Sequence, residues 1–313
     1  MSLSNSSVRD LIAGLQAQRF TSFELVQGYL ARIEQANPTV RAVNAVTPNI
    51  LDVAKLYDSE RESGLLRGSL HGIPILVKDF EATVIKKLRD AGAIILGKAS
   101  CSEWVNFRSP EKSISGWSVV GGQGIGIYAI DQSALGSSSG SAIASSLGLA
   151  AVALGTETSG SISSPARASG IVGLKPTVVL TSRHGVYCVT EWEDSVGVLG
   201  KTVLDAAAVL TAMAGIDELD VFTSADPRDE GQTLALRPTD GTDFTVNCQK
   251  NSLRGLRIAV QVPITRPCIE QPEVVNTQFN EALKKLEALG ATVVDNVEFT
   301  MWSPRYSDIK RAE

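Results

Sequence analysis

The sequence predicts an α/β protein with a largely buried central sheet. Three observations carry that reading. Short, continuously apolar runs, such as residues 73–77 and 150–154, have the character of strands covered on both faces. Segments with apolar residues at helical spacing alternate with them. At 313 residues, 43% hydrophobic and 20% charged, the chain is also long and apolar enough to bury such a core.

The elements follow in order. Leu11, Ile12 and Leu15 predict a helix over residues 8–18. Thr21 and Glu24 have capping-box spacing, because each side chain can satisfy an orphan N–H at a helix start. The helix they open carries Val26, Tyr29, Leu30 and Ile33 on one face and is expected to stop before Pro38. Residues 40–46 are β-like and 49–63 helical. The apolar strand 73–77 runs directly into Lys78. A helix over 81–91, a strand over 93–96 and a helix over 100–107 come next. Residues 109–135 form a long Gly-rich connection, of a size that is often functional in compact domains. Then come a helix (139–147), a strand (150–154), a strand ending at Pro176 (172–175) and an Ala-rich helix (202–213). Composition turns polar from Asp217 to Ser252, as in a surface excursion. A strand (256–260), a helix closed by Gly290 (272–289) and a strand (291–294) make a βαβ-like tail. The expected organisation is one domain over 1–313. It has a helical part to about residue 65, a core over 66–215, the excursion over 217–252 and the tail over 253–313.

Net charge is −5, so no basic surface is expected for nucleic acid or an anionic membrane. The four cysteines, Cys101, Cys188, Cys248 and Cys268, form no CxxC pair and read as reduced thiols of a cytoplasmic protein. The N-terminus lacks the basic and apolar regions of a signal peptide, and no window approaches the ~20 apolar residues of a membrane span.

Residues 136–165 are the chemically suggestive stretch. Two Gly/Ser-rich loops flank a short apolar segment, and the stretch is almost free of charge. Gly136, Ser138 and Gly140 match the G-x-S-x-G nucleophile pattern, but no buried strand precedes them. Only His71 and His184 are available as bases for a Ser-His site, and Glu157 is the sole acid between Ser138 and His184. Two distant histidines give no metal-ligand spacing, and no phosphate-binding loop motif occurs. A lysine can serve as base when burial depresses its pKa. Lys78, at the end of an apolar strand, is a candidate; taken alone it reads as a surface lysine.

Three blocks together resemble the amidase signature hydrolases: LHGIPILVKD (70–79), GSSSGS (136–141) with GTETSGS (155–161), and GIVGLKPT (170–177). Supporting blocks are Gly97 to Ser100 with Glu103 and Trp104, and Asp194 to Gly197. The resemblance runs through most of the chain. It implies a mixed central β-sheet flanked by helices and hydrolysis of a carboxamide C–N bond without a cofactor. It also implies a site residue by residue. Ser161 matches the nucleophile, Ser137 the bridging serine after a cis peptide, and Lys78 the base. The N–H groups of Thr158, Ser159, Gly160 and Ser161 match the oxyanion hole, and Ser138 orients the relay. The expected partners are a small-molecule amide and a second copy of the chain. Lys175, Asp194, His71, Glu103 and Trp104 read as scaffold, and Cys188 as either a channel residue or an ordinary thiol. Family members commonly have a long loop after the lysine and continue beyond the position of Glu313. The chain is therefore expected to be shortened at both places, which leaves an inactive, amidase-like accessory protein as the alternative. A Ser-His esterase using Ser138 is a lesser one.

Overall fold

The computed structural model describes residues 3–78, 82–106, 115–224, 242–249, 252–261 and 273–297, which fall into two units, Met1–Cys248 and Gln249–Glu313. The first unit opens with helices α1 (Val8–Gln16) and α2 (Ser22–Val40), each started by a capping box, Ser7 with Asp10 and Thr21 with Glu24. Helix α2 runs through Pro38 instead of stopping before it. Proline forfeits only one backbone donor, and the helix ends two residues later at Val40, followed by Arg41, which is left-handed (φ 52°). The Asn37 side chain holds that exit, donating to Val43 O and accepting from Val43 N–H, both at 2.8 Å.

Strand β1 (Val43–Val46), helix α3 (Ile50–Glu62), strand β2 (Pro74–Lys78), helix α4 (Thr83–Asp90) and strand β3 (Ile94–Ala99) follow. Residues 100–107 were expected to be helical. The structure has a single tight turn at Glu103–Asn106, with Trp104 and Val105 left-handed. Contacts to other loops hold its start: Ser102 N–H donates to Ser137 O at 2.9 Å, and Ser102 Oγ accepts from Gly116 N–H at 2.7 Å. The Gly-rich connection contains a small hairpin, β4 (Trp117–Ser118) with β5 (Gly122–Gln123).

Helix α5 (Ser139–Leu147) explains why residues 136–165 are so small and uncharged. Residues 139–145 are buried without exception. A Cβ on Gly140 would lie 2.3 Å from Ala42 O and 2.5 Å from the backbone of Ser100. Ser141 Oγ donates to Leu154 O at 2.7 Å and Ser145 Oγ to Leu199 O at 2.8 Å. A helix buried on all sides needs small residues for close approach, and its hydroxyls then act as pins to neighbouring strands.

The remaining elements of this unit are β6 (Val152–Glu157), α6 (Ser163–Ala168), β7 (Val172–Leu174), β8 (Ser195–Gly200), α7 (Val203–Met213) and α8 (Val221–Ser224). The sheet has the order β1-β3-β2-β6-β8-β7. Strands β3, β2 and β6 are parallel, while β1, β8 and β7 are antiparallel to their neighbours. The sheet is thus mixed and flanked by helices, as expected. Strand β8 and helix α6 have no counterpart among the sequence expectations. In β8 the glycines disguise the strand. A Cβ on Gly197 would sit 2.0 Å from Leu174 O across the β7–β8 pair. Gly197→Ala should therefore push β7 away and lower stability by at least about 2 kcal/mol, read as a fall in the urea midpoint.

In the second unit, β9 (Arg257–Gln261) and β10 (Thr292–Val297) pair in parallel, with helix α9 (Glu273–Ala288) between them in sequence. This matches the βαβ-like pattern. Within the polar excursion, residues 225–241, 250 and 251 lie outside the described residues.

The topology collects the chemistry at one rim. The parallel strands β2, β3 and β6 end there, and antiparallel β8 begins there, with Glu157 opposite Ser195. Open α/β sheets bind ligands outside the carboxyl ends of their parallel strands.

Candidate active site

Lys78 is the last residue of β2 and is 5% exposed. The surface-lysine reading is thereby overturned. Its Nζ donates to Ser137 Oγ and to Thr156 Oγ1, each at 2.8 Å. Burial among neutral groups pushes its pKa down from 10.5 to about 8, against the opposing pull of Cys101 and Asp194. Both partners are hydroxyls, which do not compensate a buried ammonium as a carboxylate would.

Ser137 is fully buried and follows a cis Gly136–Ser137 peptide. Ser138, also fully buried, fastens two segments. Its Oγ donates to Thr156 O at 3.2 Å and accepts from Thr156 N–H at 3.3 Å, and its N–H donates to Ser161 O at 3.0 Å. None of these contacts involves histidine. His184 is exposed and lines a separate cavity of about 280 Å³ with Arg183 and Phe222. His71 is a packing residue: it stacks on Tyr57 at 5.1 Å, and its Nε2 contacts Tyr57 O at 2.9 Å.

Ser161 lies half-buried on the loop between β6 and α6. The structure brings Lys78, Ser137 and Thr156 into direct contact and holds the Ser161 backbone against Ser138. It forms no Ser137–Ser161 hydroxyl hydrogen bond. Of the four N–H groups predicted to face an oxyanion, that of Gly160 (φ 88°) donates to Glu157 Oε1 at 2.7 Å. Those of Thr158, Ser159 and Ser161 donate to no described residue.

Two carboxylates that sequence reasoning gave no functional part organise this loop. Glu157, 6% exposed, accepts from Gly160 N–H on one oxygen and from Ile162 and Ser163 N–H on the other, at 2.7, 2.7 and 2.8 Å. Burial pushes its pKa up, but the N–H groups of Ser163, Ile162 and Gly160 outweigh that and hold it below 4.5. Its sequence signal was its isolation, as the only acid among residues 136–165. Asp194 is also buried. It accepts from the Thr158 hydroxyl and from Val189 N–H, so it ties the loop between β6 and α6 to the segment carrying Tyr187. Asp194 opens one of the blocks that support the resemblance and reads as scaffold; its bond to Thr158, 36 residues away, is what the sequence did not show.

A cavity of about 490 Å³ opens at this rim, lined by Lys78, Thr156, Cys101, Trp104, Tyr187 and Cys188 among others. Trp104 is 63% exposed and walls the cavity instead of anchoring the scaffold. Among the described residues, no cluster of three or more His, Cys, Asp or Glu side chains is placed to hold a metal ion. No helix there is long and apolar enough to cross a membrane.

The family model described as Amidase matches residues 24–80 and 79–307. The two stretches meet just after Lys78, where the resemblance leads one to expect a longer loop. The protein named "Putative amidase" in Arthroderma benhamiae is 44% identical over 302 residues, covering 89% of this chain and 49% of the relative. A Schizosaccharomyces pombe relative with a similar name is 37% identical, covering 96% of this chain and 54% of its own length. The crystal structure of the peptide amidase from Stenotrophomonas maltophilia superposes with a TM-score of 0.84 at 40% identity, covering 94% of this chain and 62% of that one. The chain spans about half the length of these curated relatives.

Proposed function

Since the chain belongs to the amidase family, we propose that it hydrolyses the C–N bond of a small carboxamide through an acyl-enzyme on Ser161. One observation supports this most directly: a buried lysine with a depressed pKa, 2.8 Å from a buried serine hydroxyl on the next motif. A shift from 10.5 to about 8 raises the neutral fraction of Lys78 at pH 7 by about 300-fold, to roughly a tenth. That amine is a competent general base.

In the proposed sequence Ser137 passes its proton to Lys78 Nζ and takes the proton of Ser161 as Ser161 Oγ bonds to the amide carbonyl carbon. Negative charge on the carbonyl oxygen is met by the N–H groups of Thr158, Ser159 and Ser161, fixed donors that need no reorganisation as charge develops. The relay then runs backwards and protonates the amide nitrogen as the C–N bond breaks, because an unprotonated amine leaves poorly. Water, deprotonated by the same relay, releases the carboxylic acid and restores neutral Lys78. No cofactor is required.

A fluorophosphonate probe tests the assignment by mass. Wild type should gain one adduct on the peptide containing Ser161, and Ser161→Ala should gain none. A folded wild-type protein that takes up no probe would instead be an inactive relative with a binding or accessory role. Labelling at Ser138, lost in His184→Ala, would support the esterase reading.

A further inference from the structure

We propose that the cavity beside Lys78 is an acyl-binding subsite for a flat, uncharged aromatic group, with Trp104 and Tyr187 as the residues that select it. This rests on the carboxamide reading, since it assigns the substrate class of the same site.

The aromatic pair is the first observation. The Trp104 and Tyr187 rings meet edge to face, with centroids 6.3 Å apart and planes at 81°. They remain 63% and 79% exposed while lining the cavity that contains Lys78 and Thr156. Ring surface left uncovered at the mouth of a cavity that Lys78 lines is available to a ligand, and an aromatic ligand gains contact energy beyond its buried area there. Val105, Val186 and Val189 extend the apolar wall.

The wall is also fixed in advance. Val186 N–H donates to Arg183 O at 2.9 Å and Val189 N–H to Asp194 at 2.5 Å, which brackets Tyr187. Arg183 is locked by a buried ion pair with Asp220 at 2.9 Å and lies 4.2 Å from the centre of the Phe222 ring. A wall held this way loses little freedom when a ligand arrives.

Charge argues against the alternatives. Among the described lining residues, Lys78 is the sole cation, and its amine is engaged by Ser137 and Thr156. An anionic acyl group seated beside it would favour the ammonium form and remove the base. Glu103 Oε2 already accepts from Val119 N–H at 2.8 Å. Size agrees as well: about 490 Å³ lies within the roughly 300–1,000 Å³ of small-molecule sites, and a methyl group would leave it mostly empty.

The test compares benzamide, acetamide and succinamate. Steady-state kcat/KM is measured on wild type, Trp104→Ala and Tyr187→Ala, and calorimetric binding on Ser161→Ala with and without each aromatic substitution. Benzamide should exceed acetamide by on the order of 100-fold, with succinamate poorest. Each aromatic substitution should cut the benzamide-to-acetamide ratio by about tenfold. Circular dichroism confirms folding, which substitution at exposed side chains should preserve. Equal use of benzamide and acetamide, a ratio unchanged by both substitutions, or a preference for succinamate would each overturn the subsite. If benzamide binds Ser161→Ala in a Trp104-dependent way while wild type hydrolyses nothing, the subsite stands and the hydrolysis reading fails.

Discussion

Replacing Lys78 with methionine should lower amide turnover by about 10³-fold and at the same time stabilise the fold at neutral pH. Both effects follow from the burial that lowers the lysine pKa from 10.5 to about 8. Below pH 8 the folded and unfolded chains both carry the ammonium, so the folded state bears the full desolvation penalty. Between pH 8 and 10.5 the folded state sheds its proton first, and stability rises with pH. Above 10.5 neither state is charged and the penalty is gone. The shift corresponds to an upper limit of about 3 kcal/mol. Methionine matches the length of the lysine and carries no charge, so the variant should exceed wild type most clearly at pH 7. That advantage should shrink between pH 8 and 10.5. Urea midpoints at pH 7, 9 and 10.5 measure it, and parallel curves for the two proteins would refute a penalty at Lys78. Wild-type kcat/KM should climb with pH and level off above about 8, because only the neutral amine accepts a proton. A rate profile flat from pH 6 to 9 would remove lysine from the base role.

The fold was legible in the sequence where periodicity and capping spoke. Thr21 with Glu24 marked the start of α2, and the apolar run ending at Lys78 marked β2. Strand β8 stayed hidden because Gly197 and Gly200 interrupt its apolar pattern, and Gly197 is there for a close approach that only the β7 pairing reveals. The site was legible in a different way. Elimination of histidine and metal chemistry left lysine as a candidate base, and the resemblance supplied the Ser137 and Ser161 roles. Residues acting through tertiary contact could not be read. The bond from Asp194 to the Thr158 hydroxyl spans 36 residues, and the Trp104–Tyr187 pair joins segments with no shared motif. Trp104 read as scaffold for a physical reason: an exposed aromatic beside a cavity and a buried anchor look the same in one dimension.

Glu157→Gln should give the second large effect, a fall in kcat/KM on the order of 100-fold carried mainly by kcat. The carboxylate is the clamp of the loop that carries Ser161. Its two oxygens take three backbone N–H groups, those of Gly160, Ile162 and Ser163, on either side of Ser161. Glutamine keeps one acceptor oxygen, and its amide must point N–H groups at one or two backbone N–H groups. Those donors are then unsatisfied, at about 1–3 kcal/mol each, so the loop relaxes instead of tolerating the conflict. The loop also carries the remaining N–H groups that would receive the oxyanion, so displacement weakens transition-state binding more than substrate binding. A purely structural role would lower stability and leave kcat of the folded fraction intact; the prediction is that kcat falls, KM changes little and fluorophosphonate labelling of Ser161 slows in parallel. The pH dependence has the opposite sign to that of Lys78. With its folded pKa held below 4.5, Glu157 contributes stability that is full above 4.5 and is lost as pH falls through the folded value. Glu157→Gln should therefore be less stable than wild type at pH 7 and lose less on acidification, and equal acid sensitivity in the two proteins would show that the carboxylate charge does not hold the loop.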